Sequence, residues 1–149
     1  MYSESDWMRV AIQQAKIAQS LNEVPVGAVL VREQEIIGLG YNQPILRHDC
    51  SAHAEIQALR EAGTKMGNYR LPDTKLFVTL EPCAMCAAAL VHARVAELVF
   101  GAFDAKTGVV ISRMQFFDTN FINHKVQWRG GILEQECKQL LQEFFQSRR

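Results

Sequence analysis

Short apolar runs of strand length alternate along this chain with stretches of helical spacing, and that alternation leaves few folds open. Residues 27–32 (GAVLVR) and 35–41 (EIIGLGY) read as two strands joined by a tight connection at Glu33 and Gln34. Residues 76–80 (LFVTL) and 98–102 (LVFGA) read as buried strands, and 126–129 as a fifth. A first helix, capped by Ser5 or Asp6, runs to about Leu21 with Trp7, Ala11, Ala15 and Ala18 on one face. A second, capped by Ser51, carries AHAEIQALREAG and stops at Gly63, while a third opens directly from Glu81-Pro82 into CAMCAAALVHA. The last helix spans 133–147 and turns Leu133, Cys137, Leu140, Leu141, Phe144 and Phe145 inward. Residues 42–50 read as a loop and 103–125 as irregular, with Phe116, Phe117 and Phe121 packing in the core. The order predicts one α/β domain over residues 1–149. It is a three-layer α/β/α arrangement with a five-stranded sheet, mixed because its leading hairpin is antiparallel.

Composition narrows the function classes. A chain of 149 residues can bury roughly 68–70% of its unfolded surface, enough for one core without staples. With 48% hydrophobic and 21% charged residues, it is not a disordered chain. No apolar run approaches the roughly 18 residues of a membrane span, and MYSESDWM does not resemble a signal peptide, so a cytoplasmic protein without membrane attachment is expected. Sixteen basic and sixteen acidic residues cancel, which excludes a bulk polycation coating nucleic acid but leaves room for a local basic patch. Two of the four cysteines stand at C-x-x-C spacing, which in a chain without an export signal points to metal or redox chemistry.

His53, Cys83 and Cys86 are the candidate metal ligands. Cys83 and Cys86, three apart in the first turn of a helix, share a face, and a helix N-terminus favours thiolate. Cys50, Cys137, His48, His92 and His124 have no evident pairing, so the count stops at three. Three protein ligands with a position kept for water is the catalytic zinc pattern, and zinc lowers the pKa of such a water from 15.7 to about 7. Glu55 follows His53 by two positions, about 200° around a helix, so it is better placed as a proton shuttle than as a fourth ligand. Glu81 lies close enough to be a rival acid, though a cap for the third helix suits it better. The pairing of H-x-E with P-C-x-x-C is the signature of zinc-dependent nucleobase deaminases.

Over nearly its whole length the chain resembles bacterial tRNA-specific adenosine deaminases, a branch of the cytidine deaminase superfamily. EVPVGAVLV, GYNQPI, HDCSAHAEIQALR, NYRL, VTLEPCAMCAAAL, VFGAFDAKTG and the terminal EFFQSRR carry the likeness. H-A-E and P-C-x-x-C mark only the superfamily, whereas the N-x-P loop and F-G-A-x-D-x-K-T-G favour the tRNA branch. The resemblance implies a cytidine-deaminase-like fold and one Zn2+ per subunit on His53, Cys83 and Cys86. Glu55 would move protons while the wobble adenosine of an arginine tRNA anticodon stem-loop becomes inosine. Asn42 would hydrogen-bond the flipped base, Val26 and Leu80 would wall the pocket, and the Ala54 backbone N–H would help hold the base or the developing oxygen. It implies a homodimer in which each site receives RNA contacts from both subunits. Arg47, His48, Arg70, Arg94, Asp104, Lys106, His124, Lys125, Phe145, Arg148 and Arg149 are the candidate RNA contacts. Phe103 stands where some relatives carry a basic residue, which makes this rim less basic. Two other readings remain open: a deaminase of free cytidine, cytosine or guanine, and a zinc-bearing RNA-binding subunit without catalysis.

Overall fold

The computed structural model describes residues 1–148; Arg149, a candidate RNA contact, lies outside the described residues. Strands β1 (Gly27–Arg32), β2 (Glu35–Tyr41), β3 (Lys75–Leu80), β4 (Glu97–Ala102) and β5 (Gln127–Gly130) form one sheet in the order β2-β1-β3-β4-β5. The β1–β2 and β1–β3 pairs are antiparallel, and β3, β4 and β5 run parallel, so the sheet is mixed as expected. Glu33 and Gln34 both adopt positive φ, 49° and 67°, the left-handed geometry that lets a two-residue turn follow the twist of its strands. The fifth strand begins one residue later than the pattern predicts.

Strand alternation sorts the core into two layers. Ala28, Leu30, Leu76, Val78, Leu98 and Phe100 face α3 (Ala54–Met66) and α4 (Ala84–His92). Val29, Val31, Phe77 and Val99 face α1 (Glu4–Ser20) and α5 (Glu134–Gln146), where they meet Trp7, Met8, Ala11, Ile12 and Cys137. Among the described residues no helix is long and apolar enough to cross a membrane.

The elements are where the periodicity puts them, but several ends are not. Helix α1 is capped by Ser3, not by Ser5 or Asp6. The Ser3 hydroxyl accepts from the Asp6 N–H and the Asp6 carboxylate accepts from the Ser3 N–H, at 3.2 and 2.9 Å, a reciprocal capping box. Helix α3 is capped by His53, because Ser51 closes a turn on Asp49 instead. It runs through Gly63 and stops at Gly67, whose φ of 67° suits only glycine well. The expected 42–50 loop contains a short helix, α2 (Pro44–Arg47), that starts on its proline. In the irregular 103–125 stretch a 3-10 turn, Phe116–Asp118, buries Phe116 and Phe117. Phe121 is 71% exposed, edge-on to Phe116, and does not join the core. On α5 the inward face is narrower than predicted: Cys137 and Phe144 are buried and Phe145 is exposed.

Two glycines fix how closely α3 approaches the sheet. A Cβ on Gly38 or Gly40 would lie inside van der Waals contact of the Ala58 or Ala54 carbonyl oxygen, both backbone atoms. Since Ala54 opens the helix that carries Glu55, Gly40 sets the depth of the site. Gly40→Ala is expected to destabilise the fold by about 2 kcal/mol, as overpacking against backbone does. It should also loosen the start of α3; urea denaturation beside hydrogen exchange at Ala54–Ala58 measures both.

Candidate active site

Two helices begin at one point at the carboxyl end of β3. His53 is the N-cap of α3, Cys83 is the N-cap of α4, and Cys86 lies in the first turn of α4. The strand-to-helix step at Glu81-Pro82 delivers Cys83 there, and α3, packed on the β2 edge by its close approach at Gly38 and Gly40, delivers His53. His53 Nδ1 lies 3.6 Å from each cysteine sulfur, and the three donor atoms all lie within 4.8 Å of one another, close enough to hold one metal ion. Glu55, in the first turn of α3, is buried beside them. Two helix N-termini meeting here present partial positive charge to the thiolates and the carboxylate.

The electrostatics follow from this crowding. A hydrogen bond from Cys86, with a second from His53, pulls the Cys83 thiol down to about 4. The hydrogen bond with the Cys83 sulfur raises His53, against the opposing effect of burial. Cys86 is raised, first by its hydrogen bond to Cys83 and then by burial, so the thiolate of the pair resides on Cys83. Burial pushes the Glu55 carboxyl up to about 7, its own first-turn backbone N–H opposing and the Cys83 charge reinforcing. A carboxyl poised near neutrality can both take and give a proton at working pH.

The pocket residues divide into two groups. Val26 is buried and Leu80 half-buried, both packed in the core layer beneath α3 and α4. Asn42 donates its backbone N–H to the Val26 carbonyl (3.1 Å), and its side-chain oxygen accepts the Ala54 N–H at 2.8 Å. This changes the expectation for Ala54. Its N–H is engaged by Asn42 and is not a free donor for the base or the developing oxygen. The same bond fixes the Asn42 amide, because only its oxygen can accept, and its NH2 is left as the free donor of the pair.

The candidate RNA contacts do not form one group. Arg47 binds the Gln43 side chain at 2.6 Å, and His48 caps α2 in left-handed geometry; both follow the Asn42 loop. Asp104 lies beyond the carboxyl end of β4, its oxygens accepting from the Lys106 and Thr107 N–H groups and the Thr107 hydroxyl, with Lys106 exposed. Arg70 leans on the Tyr69 ring, in the loop before β3. His124 is bonded at 2.8 Å to the Val95 carbonyl, ahead of β4. A six-residue strand is about 20 Å long, so within one chain Arg70 and His124 are at the far end of the sheet from the cluster. Arg94 is turned back onto the Val91 carbonyl, and Lys125 pairs with Asp118. Arg148 stacks on Phe144, 3.5 Å from the ring centroid, and reaches Asn22, which ties α5 to the end of α1. Phe145 is 51% exposed.

Two buried carboxylates shape the surroundings, and sequence reasoning missed or misassigned both. Glu23 accepts the Ile45 and Leu46 N–H groups at 3.3 and 2.8 Å, holding the first turn of α2 beside Asn42. Glu81 neither caps α4 nor faces the cluster as an acid; its oxygens are filled by donors from residues 104–112. No local pattern marks either role, because the N–H groups they serve lie more than 20 positions away.

The chain matches the MafB19-like deaminase family over residues 2–149. A tRNA-specific adenosine deaminase of Haemophilus influenzae is 51% identical over 143 residues, covering 95% of this chain and 83% of the relative. One of Bacillus subtilis is 42% identical over 149 residues, covering 100% and 92%. A solved structure from work on A-to-I editing by tRNA:A34 deaminases at the wobble position superposes with a TM-score of 0.89 at 41% identity, covering 91% of this chain and 98% of that one. A guanine deaminase of Nitrosomonas europaea shares the fold, with a TM-score of 0.79 at 22% identity, covering 97% and 85%. Fold and site together are those of a nucleobase-deaminating enzyme. Within that class, the chain belongs to the tRNA-specific adenosine deaminases.

The raised Glu55 carboxyl makes a thermodynamic prediction. Its folded-state pKa of about 7 exceeds the ordinary 4.5, so the stability it contributes is fully present below 4.5 and is lost as pH rises through 7. With the metal removed, Glu55→Gln should match wild type in stability at pH 4 and exceed it increasingly up to pH 7.5. Paired urea titrations across that range would measure the difference.

Proposed function

We propose that this protein hydrolytically deaminates adenosine to inosine at the wobble position of tRNA, with arginine tRNA as substrate, using one zinc ion per chain. The observation that carries the reading is the buried Glu55 abutting a His/Cys/Cys donor set, in a chain akin over 95% of its length to a tRNA-specific adenosine deaminase. The donor set suits zinc: bonds of about 2.0–2.1 Å to nitrogen and 2.3 Å to sulfur at a tetrahedral angle put N and S about 3.5 Å apart. The observed separation is 3.6 Å for both sulfurs. His53 Nδ1, Cys83 Sγ and Cys86 Sγ would hold the ion, which supplies the Lewis acidity that makes water a nucleophile at neutral pH.

The residues of the chain do the rest. Glu55 takes a proton from the attacking water and delivers it to adenine N1 while the oxygen bonds to C6. It then takes the proton of the new C6 hydroxyl to the exocyclic nitrogen, the C6–N bond breaks as C6=O forms, and ammonia leaves with inosine as product. The Asn42 NH2, its direction set by the bond to Ala54, is the donor offered to the base, with Val26 and Leu80 as apolar wall. An anticodon loop is single-stranded, so little pairing opposes extrusion of the base. The reading takes the chain as a single deaminase domain over residues 1–149. Arg47, His48, Asp104 and Lys106 serve as rim contacts, and Arg70, His124, Phe145, Arg148 and Arg149 serve the rest of the RNA or the second site of a homodimer. The cytoplasm, where tRNA is at hand, is its expected compartment.

The test is inosine formation by zinc-loaded protein on an arginine-tRNA anticodon stem-loop, against free adenosine, cytidine and guanine. Inosine from the stem-loop alone is expected; turnover of a free base or nucleoside alone would move the protein to another deaminase branch. Glu55→Ala should bind the stem-loop normally and lose about 100- to 10,000-fold in rate, the scale of a lost acid–base group. Metal analysis should give one zinc per wild-type chain and none for His53→Ala or Cys83→Ala. Sedimentation analysis of the same preparation should show a dimer.

A further inference from the structure

Glu81 is buried to 2% exposure two residues before Cys83, yet it takes no part in the donor cluster. Its carboxylate is the convergence point of five donors from one segment. Oε1 accepts the Asp104 N–H at 3.0 Å and the Ser112 hydroxyl. Oε2 accepts the N–H groups of Val110, Ile111 and Ser112 at 3.0, 2.9 and 3.0 Å. Gly108 lies directly over the carboxylate, where a Cβ would collide with the Glu81 carboxyl carbon. The Val109 N–H donates to the Pro82 carbonyl at 3.0 Å, one residue from Cys83.

These bonds pin both ends of residues 104–112 at the carboxyl ends of the paired strands β3 and β4, the end at which Cys83 emerges. Residues 105–107 project from the pinned segment into solvent, shaped by the three donors gathered on Asp104. Exposed at that end of the sheet, residues 105–107 can meet the nucleotides that flank an extruded base, which a free base lacks. We propose that Glu81 is a positioning residue for the RNA substrate, acting through the 104–112 rim and not at the reacting atoms. The proposal rests on the tRNA reading above.

The bonding pattern supplies a selective test. Glutamine at this position has one accepting oxygen. Turned towards the three N–H groups of 110–112 it preserves that anchor, and the Ser112 hydroxyl can reverse to accept from the amide. Only the Asp104 N–H is then left facing a donor. Glu81→Gln should therefore loosen the start of the rim without unfolding it. Zinc-loaded Glu81→Gln is expected to show a KM for the stem-loop raised about tenfold, the scale of one lost charge-assisted hydrogen bond. Its kcat, pH profile and metal content should stay those of wild type, while hydrogen exchange quickens at Asp104–Thr107 and not at Val110–Ser112. Gly108→Ala crowds Glu81 Oε1 and the Asp104 carbonyl at the same end of the rim and should give the same split. A fall in kcat at unchanged KM, a shifted pH profile, lost metal or unaltered exchange overturns the proposal. So does a wild-type KM in both variants when the wild type is active. If wild type itself leaves the stem-loop unchanged, the substrate reading falls first and this proposal with it.

Discussion

Two helix N-termini meeting at the end of one strand are the constraint on which the rest of this structure depends. A thiolate, a second sulfur, an imidazole and a carboxylate cannot share a few ångströms of protein interior without compensating charge. Here each stands at a helix start, where unpaired N–H groups present partial positive charge. The requirement reaches outward through the sheet. Helix α3 must approach β2 closely enough that Gly38 and Gly40 can carry no side chain, and α4 must start at once after β3.

Three buried glutamates show how one residue type is directed to different work. Glu23 is filled by two backbone N–H groups and Glu81 by four with a hydroxyl, so both are structural anchors. Glu55 has only its own first-turn backbone N–H and the Cys86 thiol. It is buried among groups that trade protons, and its carboxyl is pushed up to about 7. The carboxylate left without a full set of donors is the one whose proton is free to move. Glu23 and Glu81 meanwhile hold the loops on either side of it, the Asn42–Arg47 turn and the 104–112 rim.

Much of this was legible beforehand. Strand alternation and helical spacing placed every strand within two residues and identified the mixed sheet, because those periods are local consequences of backbone geometry. H-A-E and P-C-A-M-C marked the cluster, because ligand chemistry restricts both residue type and spacing. Helix ends were less legible. Ser51 looks like a cap, but Asp49 engages it, and His53 takes the cap position where its ring can reach Cys83. Gly63 looks like a stop, but tertiary packing carries α3 on to Gly67. The rim was hardest to read: that Arg148 stacks on Phe144 and His124 bonds to the Val95 carbonyl is written in no local pattern.

By itself the sequence determined the fold class, the three donor residues and the adjacent glutamate, since each is written in a short pattern with a physical period. Only the tertiary structure decided which donors remain free. It gave the Ala54 N–H to Asn42, turned Glu81 onto residues 104–112, and carried Arg70 and His124 to the far end of the sheet. The reason is that a hydrogen-bonding group is used up by whatever partner the fold brings within about 3 Å. For Glu81 that partner stands 23 to 31 positions along the chain.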